Sequence, residues 1–238
     1  METIEIVEKI KSGPYWRVNI RPSVYNKDKI NSLSQIREMI EQCKVTLRGW
    51  YFPHIDYSRT TNGNDWVQSE YTSDDIIEFW RFYQSAQFVH YLSVYEDYTL
   101  KAQGRKPTYL LARGEHESPS GYVEILITLY RLTEIYEFAM RLAQKDVFGE
   151  GVYIHVTLAG IRNFQLFFFD SGRVLFDKYK SGIDEINLES KMSVQELLAK
   201  GHEEAIKQAI KIYERFNWLE PPKSIFIEEQ KKLLERRL

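Results

Sequence analysis

Glu78-Phe-Trp-Arg-Phe-Tyr-Gln-Ser-Ala-Gln-Phe-Val-His-Tyr-Leu-Ser-Val-Tyr95 decides the fold class. The run is too long and too aromatic for one ordinary strand of about five or six residues, so it reads as a β-hairpin. A turn at Ser85-Ala86 would set Arg81 opposite His90 and Trp80 opposite Tyr91. To either side lie further extended segments. Tyr15 to Pro22 alternates Trp16, Val18 and Ile20 with Arg17, Asn19 and Arg21, and Val152 to Leu158 alternates as cleanly. Val45 to Phe52 and Trp66 to Tyr71 are rich in β-branched and aromatic residues, with the Asn62-Gly63-Asn64 turn signal between them. Phe164 to Asp170 and Arg173 to Lys178 flank Ser171-Gly172, which predicts another hairpin and, with 152–158, three antiparallel strands.

Helical spacing fills the remainder. Ser32 to Gln35 has the form of a capping box, followed by Leu33, Ile36, Met39, Ile40 and Cys43 on one face. Tyr122 to Gln144 is apolar nearly all round, apart from a stripe of Glu124, Arg131, Glu134 and Arg141, and reads as a central buried helix. Ser193 to Glu196 is a second capping box, opening a helix with a break at Gly201 that Pro221-Pro222 stops. A last helix spans about 224–237. The sum is an α+β fold: a mostly antiparallel sheet of about six to eight strands, packed with a central buried helix and C-terminal helices. Residues 1–238 read as a single α+β domain, with any seam at 107–119.

Composition narrows the function classes. The 238 residues carry 32 Lys and Arg against 34 Asp and Glu, a net charge of −2, so no global positive field draws nucleic acid or an anionic membrane. One cysteine, Cys43, excludes an internal disulfide and fits a reducing cytoplasm. The N-terminal stretch lacks the apolar region of a secretory signal, and no uninterrupted apolar run reaches the roughly 18 residues of a membrane span. Aromatic residues reach 14%, which suits sheets and interaction surfaces alike. Gly-rich phosphate loops, a Gly-x-Ser-x-Gly elbow and a His-Glu-x-x-His pair are missing from the sequence.

Three groups of residues carry the functional candidates. Trp16, Arg48, Trp50, Tyr51, Trp80 and Tyr83 have the aromatic and arginine chemistry of protein interfaces. Lys101, Arg105, Lys106 and Arg113, beside Tyr98 and Tyr109, form a local basic loop suited to a phosphate backbone. His54 and Asp56 share a face in an extended segment and, with His90, have the donor types of a metal-dependent hydrolase or nuclease. A purely structural role for His54, Arg81 and His90 has them satisfy one another, with Asp56 as a further partner. Glu115-His116-Glu117 and His202 read as surface residues, and His155 as a packing histidine.

The strings Arg48-Gly-Trp-Tyr-Phe-Pro-His-Ile55, Asn64-Asp-Trp66 and Trp80-Arg-Phe-Tyr-Gln-Ser-x-Gln-Phe-Val-His90, with Trp16-Arg17, resemble an uncharacterised prokaryotic protein family over about residues 14–220. Ser85-Ala86 stands where that pattern has Ser-Gly. The resemblance implies no activity, cofactor or catalytic residue. The reading favoured by the residues is a cytoplasmic, non-catalytic binding protein or accessory subunit that docks on a protein partner and needs no cofactor. Nucleic-acid binding through 101–113 and hydrolysis at His54, Asp56 and His90 are the alternatives.

Overall fold

A computed structural model describes residues 3–97, 119–170 and 172–237. It has an α+β architecture in which seven strands form one sheet with every neighbouring pair antiparallel. In chain order the strands are β1 (Tyr15–Pro22), β2 (Thr61–Asn62), β3 (Trp66–Thr72), β4 (Ile77–Tyr83), β5 (Phe88–Ser93), β6 (Gly121–Glu124), β7 (Gly151–Ala159), β8 (Phe164–Phe167) and β9 (Glu185–Ser193). The sheet runs β2-β3-β4-β5-β1-β7-β9, while β6 and β8 form a separate parallel pair. Strict alternation explains β1 and β7: Trp16, Val18 and Ile20 lie beside Leu158, Val156 and Ile154 on the inner face.

The helices are α1 (Thr3–Lys11), α2 (Leu33–Cys43), α3 (Ile125–Ala143), α4 (Val194–Arg215) and α5 (Lys223–Leu234). One core cluster draws residues from Trp16 to Leu233 and has α3 at its heart, with Leu129, Leu132, Ile135, Phe138 and Leu142 fully buried. A second, smaller cluster lies on the outer face, where Ile6 and Ile10 of α1 cover Ile77 and Phe79 of β4. Both capping residues act as their spacing predicts: Ser32 accepts from the Gln35 backbone N–H, and Ser193 with Glu196 forms a complete capping box. Cys43 is buried on α2.

Several expectations need correction. The β4–β5 hairpin turns through three residues rather than two: Ala86 adopts φ 61°, and the Tyr83 N–H reaches the Gln87 carbonyl at 2.9 Å. That extra residue slips the register by one, so His90 opposes Trp80, and Arg81 opposes Val89. Val45 and Phe52 make an isolated bridge in place of a strand. The segment 121–124 is strand, and the central helix begins at Ile125.

No strand forms over 173–178; β8 pairs in parallel with β6 on one edge, and the chain returns antiparallel to its other edge only at 179–181, where Gln165 and Lys180 form an isolated bridge and the Leu166 N–H donates to the Tyr179 carbonyl at 2.9 Å. The third antiparallel place beside β7 is taken by β9, whose Ile186, Leu188 and Ser190 point inward by plain alternation. Gly201 does not break α4; a Cβ there would lie 2.6 Å from Met140 Sδ, so its bareness serves close packing on α3. The seam at 107–119 and the basic residues Lys101, Arg105, Lys106 and Arg113 fall outside the described residues, apart from Pro119.

Candidate functional site

The site grows from the loop after α2. Val45 and Phe52 exchange two backbone hydrogen bonds of 2.8 Å, closing a short loop in which Gly49 takes φ 87°, a conformation that favours glycine. Phe52 is buried against Phe138 and His90, which anchors the loop. Trp50 and Tyr51 are left on its lip, 39% and 43% exposed. The Arg48 guanidinium lies 4.8 Å from the Trp50 ring centre and Lys44 Nζ 4.2 Å from that of Tyr51.

Beyond the cis Phe52–Pro53 bond, His54 is held on three sides. Trp80 Nε1 donates to its carbonyl at 2.6 Å, its ring stacks on Tyr71 at 4.6 Å, and Nδ1 meets Glu78 Oε2 at 2.6 Å. Glu78 is buried and also accepts the His54 backbone N–H at 2.9 Å and His90 Nε2 at 2.8 Å. Burial pushes the Glu78 carboxyl up, yet the charge of and hydrogen bonds from His90 and His54 together outweigh it and hold the group well below the usual range. Burial pulls His90 down against the opposing pull of Glu78, and among the described residues its Nδ1 has no hydrogen-bond partner.

A second polar cluster faces this one from α3. Arg48 forks onto Glu134, with Nε to Oε1 at 3.0 Å and Nη2 to Oε2 at 2.5 Å. Arg131 shares the same carboxylate at a looser 3.6 Å, and its buried Nη1 has no hydrogen-bond partner among the described residues. Two cavities open here, one of about 590 Å³ and one of about 190 Å³, and Arg48, Trp50 and Tyr95 wall both. The larger is otherwise lined by Leu47, Ile127, Tyr130, Phe169 and Arg236. His54, Tyr71, Ser73, Asp75, Ile76 and Arg131 complete the smaller.

Next to Tyr95, Glu96 is buried and accepts the Glu124 backbone N–H at 2.8 Å. Glu124 accepts the N–H groups of Ile127 and Phe169, so it caps α3 rather than joining a stripe with Arg131. Burial pushes both carboxyls up to about 7, against the pull of those backbone donors.

No known protein family, curated protein or solved structure matches this chain.

The interface candidates divide. Trp16 and Trp80 are 4% and 1% exposed and belong to the core, so neither can meet a partner. Arg48 and Trp50 wall both cavities, while the exposed Tyr51 lines neither and lies under Lys44 Nζ. Tyr83 lies on the opposite face of the sheet, where Arg81 donates to Gln68 Oε1 and covers the Trp66 ring at 4.1 Å. Arg81 therefore does not pair with His90; the one-residue slip puts them on opposite faces.

The hydrolase candidates also separate. Asp56 accepts the backbone N–H and hydroxyl of Ser58 in its own turn, while His54 and His90 converge on Glu78. Among the described residues no group of three or more His, Cys, Asp and Glu side chains is placed to hold a metal ion. His155 bonds Asn187 on the outer face, and His202 bonds Glu137. Sequence reading missed Glu78 as the histidines' partner. The signal was present, since Glu78, Trp80 and Phe82 alternate onto the inner face and an acid among core aromatics needs partners there.

Proposed function

We propose that this protein works by binding, as an accessory subunit that seats side chains of a protein partner against the Arg48–Trp50–Tyr51 lip and in the larger cavity behind it. The observation that carries the reading is the 590 Å³ cavity itself, walled by Trp50, Tyr95, Tyr130 and Phe169 with Arg48 and Arg236 among them. Its size falls in the range of about 300 to 1,000 Å³ usual for ligand pockets, and tryptophan and arginine are enriched among the residues that anchor protein interfaces. Trp50 supports the reading further because its lip is fixed in advance by the Val45–Phe52 bridge and the buried Phe52 ring. Little ordering is then left to be done when a partner arrives.

Selection of displayed random peptides tests this. The wild-type protein is expected to enrich a sequence class with a large apolar side chain, and Trp50→Ala to lose that enrichment while remaining folded by circular dichroism. Failure to enrich any class, or enrichment indifferent to Trp50, would contradict the reading.

A further inference from the structure

Arg131 is 4% exposed, and among the described residues its Nη1 has no hydrogen-bond partner. The carboxylate within ion-pair distance, Glu134, already receives both arms of the Arg48 fork, and the 3.6 Å that separates Arg131 from it exceeds a normal hydrogen bond; Glu78 and Glu96 act on Arg131 only through charge from farther off. Two buried guanidinium groups therefore divide one carboxylate, and a buried charged donor is left short of an acceptor, which is a costly arrangement for a folded protein to keep. Arg131 is also a wall of the smaller cavity.

We propose that the smaller cavity is a carboxylate-binding site, in which Arg131 takes the anionic oxygens of a ligand group carried on an apolar or aromatic stem. The site deepens the binding reading above and rests on it, because Arg48, Trp50 and Tyr95 wall this cavity and the larger one alike. At about 30 Å³ per molecule of liquid water, 190 Å³ corresponds to roughly six waters, enough for a carboxylate and a short stem.

Charge limits the class of anion. Arg48 and Arg131 are already balanced by Glu134 and by Asp75 of the wall, which disfavours a dianion, so a carboxylate is selected by the unmet donor of Arg131 and not by a surplus of positive charge. The planar guanidinium fork fits the flat carboxylate. Trp50, Tyr71, Ile76 and Tyr95 offer the stem an apolar surround. In a protein partner that group is an acidic side chain or the chain terminus.

Isothermal titration of the whole chain separates the possibilities. Phenylacetate is expected to bind at least about tenfold more tightly than phenylacetamide, a difference of about 1.4 kcal/mol, and inorganic phosphate to bind more weakly than phenylacetate. N-acetylphenylalanine and the α-amide of N-acetylglutamate, each against its fully amidated form, then show whether the carboxylate is read at a chain end or on a side chain. Arg131→Met, confirmed folded by circular dichroism, is expected to bind acid and amide alike; the wild-type comparison stands even if this variant does not fold. Equal affinity for acid and amide, no binding of either, tighter phosphate binding, or a preference that survives in folded Arg131→Met would each overturn the proposal. Failure of the broader binding reading shows instead as the lack of a Trp50-dependent peptide.

Discussion

The two sides of α3 handle buried polar groups in opposite ways. Toward β9 and α4, Tyr136 shares a 2.6 Å hydrogen bond with Ser190, Ser190 donates to Glu204 at 2.9 Å, and Gln208 donates to both. The atom left over there is a neutral acceptor, Gln208 Oε1. Toward the Arg48 loop, a charged donor is left over, Arg131 Nη1, in a residue that walls a cavity. A network whose donors all find acceptors rigidifies the core, whereas a charged donor kept short of an acceptor beside a cavity is poised for something brought from outside. The Glu78 cluster stands between these cases: its carboxylate takes three hydrogen bonds and so belongs to the framework, although the histidine it orients borders the smaller cavity.

The largest expected effect tests that division at Glu78. Glu78→Ala removes the shared acceptor of His54 and His90 and should destabilise the protein by about 3 to 5 kcal/mol in urea unfolding, as for other broken buried charge pairs. Arg131→Met, which leaves Arg48 and Glu134 paired one to one, should cost far less than this. Similar losses in the two variants would erase the distinction between framework and site. Glu78 also fixes a sign. Its carboxyl lies below the usual range in the folded state, so its contribution is present above the unfolded-state pKa and is lost as pH falls through the folded value.

Glu96 and Glu124 carry the opposite sign. With both raised to about 7, the folded chain holds protons that the unfolded chain releases between about pH 4.5 and 7, so these groups make stability fall as pH rises across that window. Glu96→Gln keeps an acceptor for the Glu124 N–H and cannot ionise. It is expected to melt like the wild type at about pH 5 and at a higher temperature at about pH 8, with a gain of up to about 3 kcal/mol. A variant less stable than the wild type at the higher pH would contradict the assigned direction.

The smallest effect belongs to the closed side. Tyr136→Phe deletes one hydroxyl from a network in which Ser190 retains Glu204 and Gln208, and should cost about 1 kcal/mol with phenylacetate affinity unchanged. Changed affinity would mean that the two sides of α3 are coupled.

Local rules made much of this fold legible and left its site dark. Alternation revealed β1 and β7, and capping plus helical spacing revealed α2 and the start of α4, because those signals lie within a few residues. The hairpin of β4 and β5 was visible too, but Ala86 in a left-handed conformation is a choice of the turn that composition does not announce, and one residue there re-aims every side chain of the strand. β9 alternates as openly as β7 and was obscured by the stronger turn signal at 171–172. At the site, His54 and His90 stood out by residue type. Their partner Glu78 lies 24 residues from one and 12 from the other, so only the sheet brings them together. Arg131 and Glu134 read as an ordinary polar stripe, since an unmet donor and a cavity are properties of packing.

The central claim is that Arg131 binds a carboxylate in the smaller cavity. Titrating phenylacetate into ¹⁵N-labelled protein while following the arginine Nε–Hε and tryptophan indole signals in NMR spectra tests it most directly. The account predicts saturable shifts of the Arg131 and Trp50 signals, with Arg81 on the opposite face of the sheet undisturbed. Saturable binding that leaves Arg131 unmoved, or that moves Arg81 in its place, would contradict it.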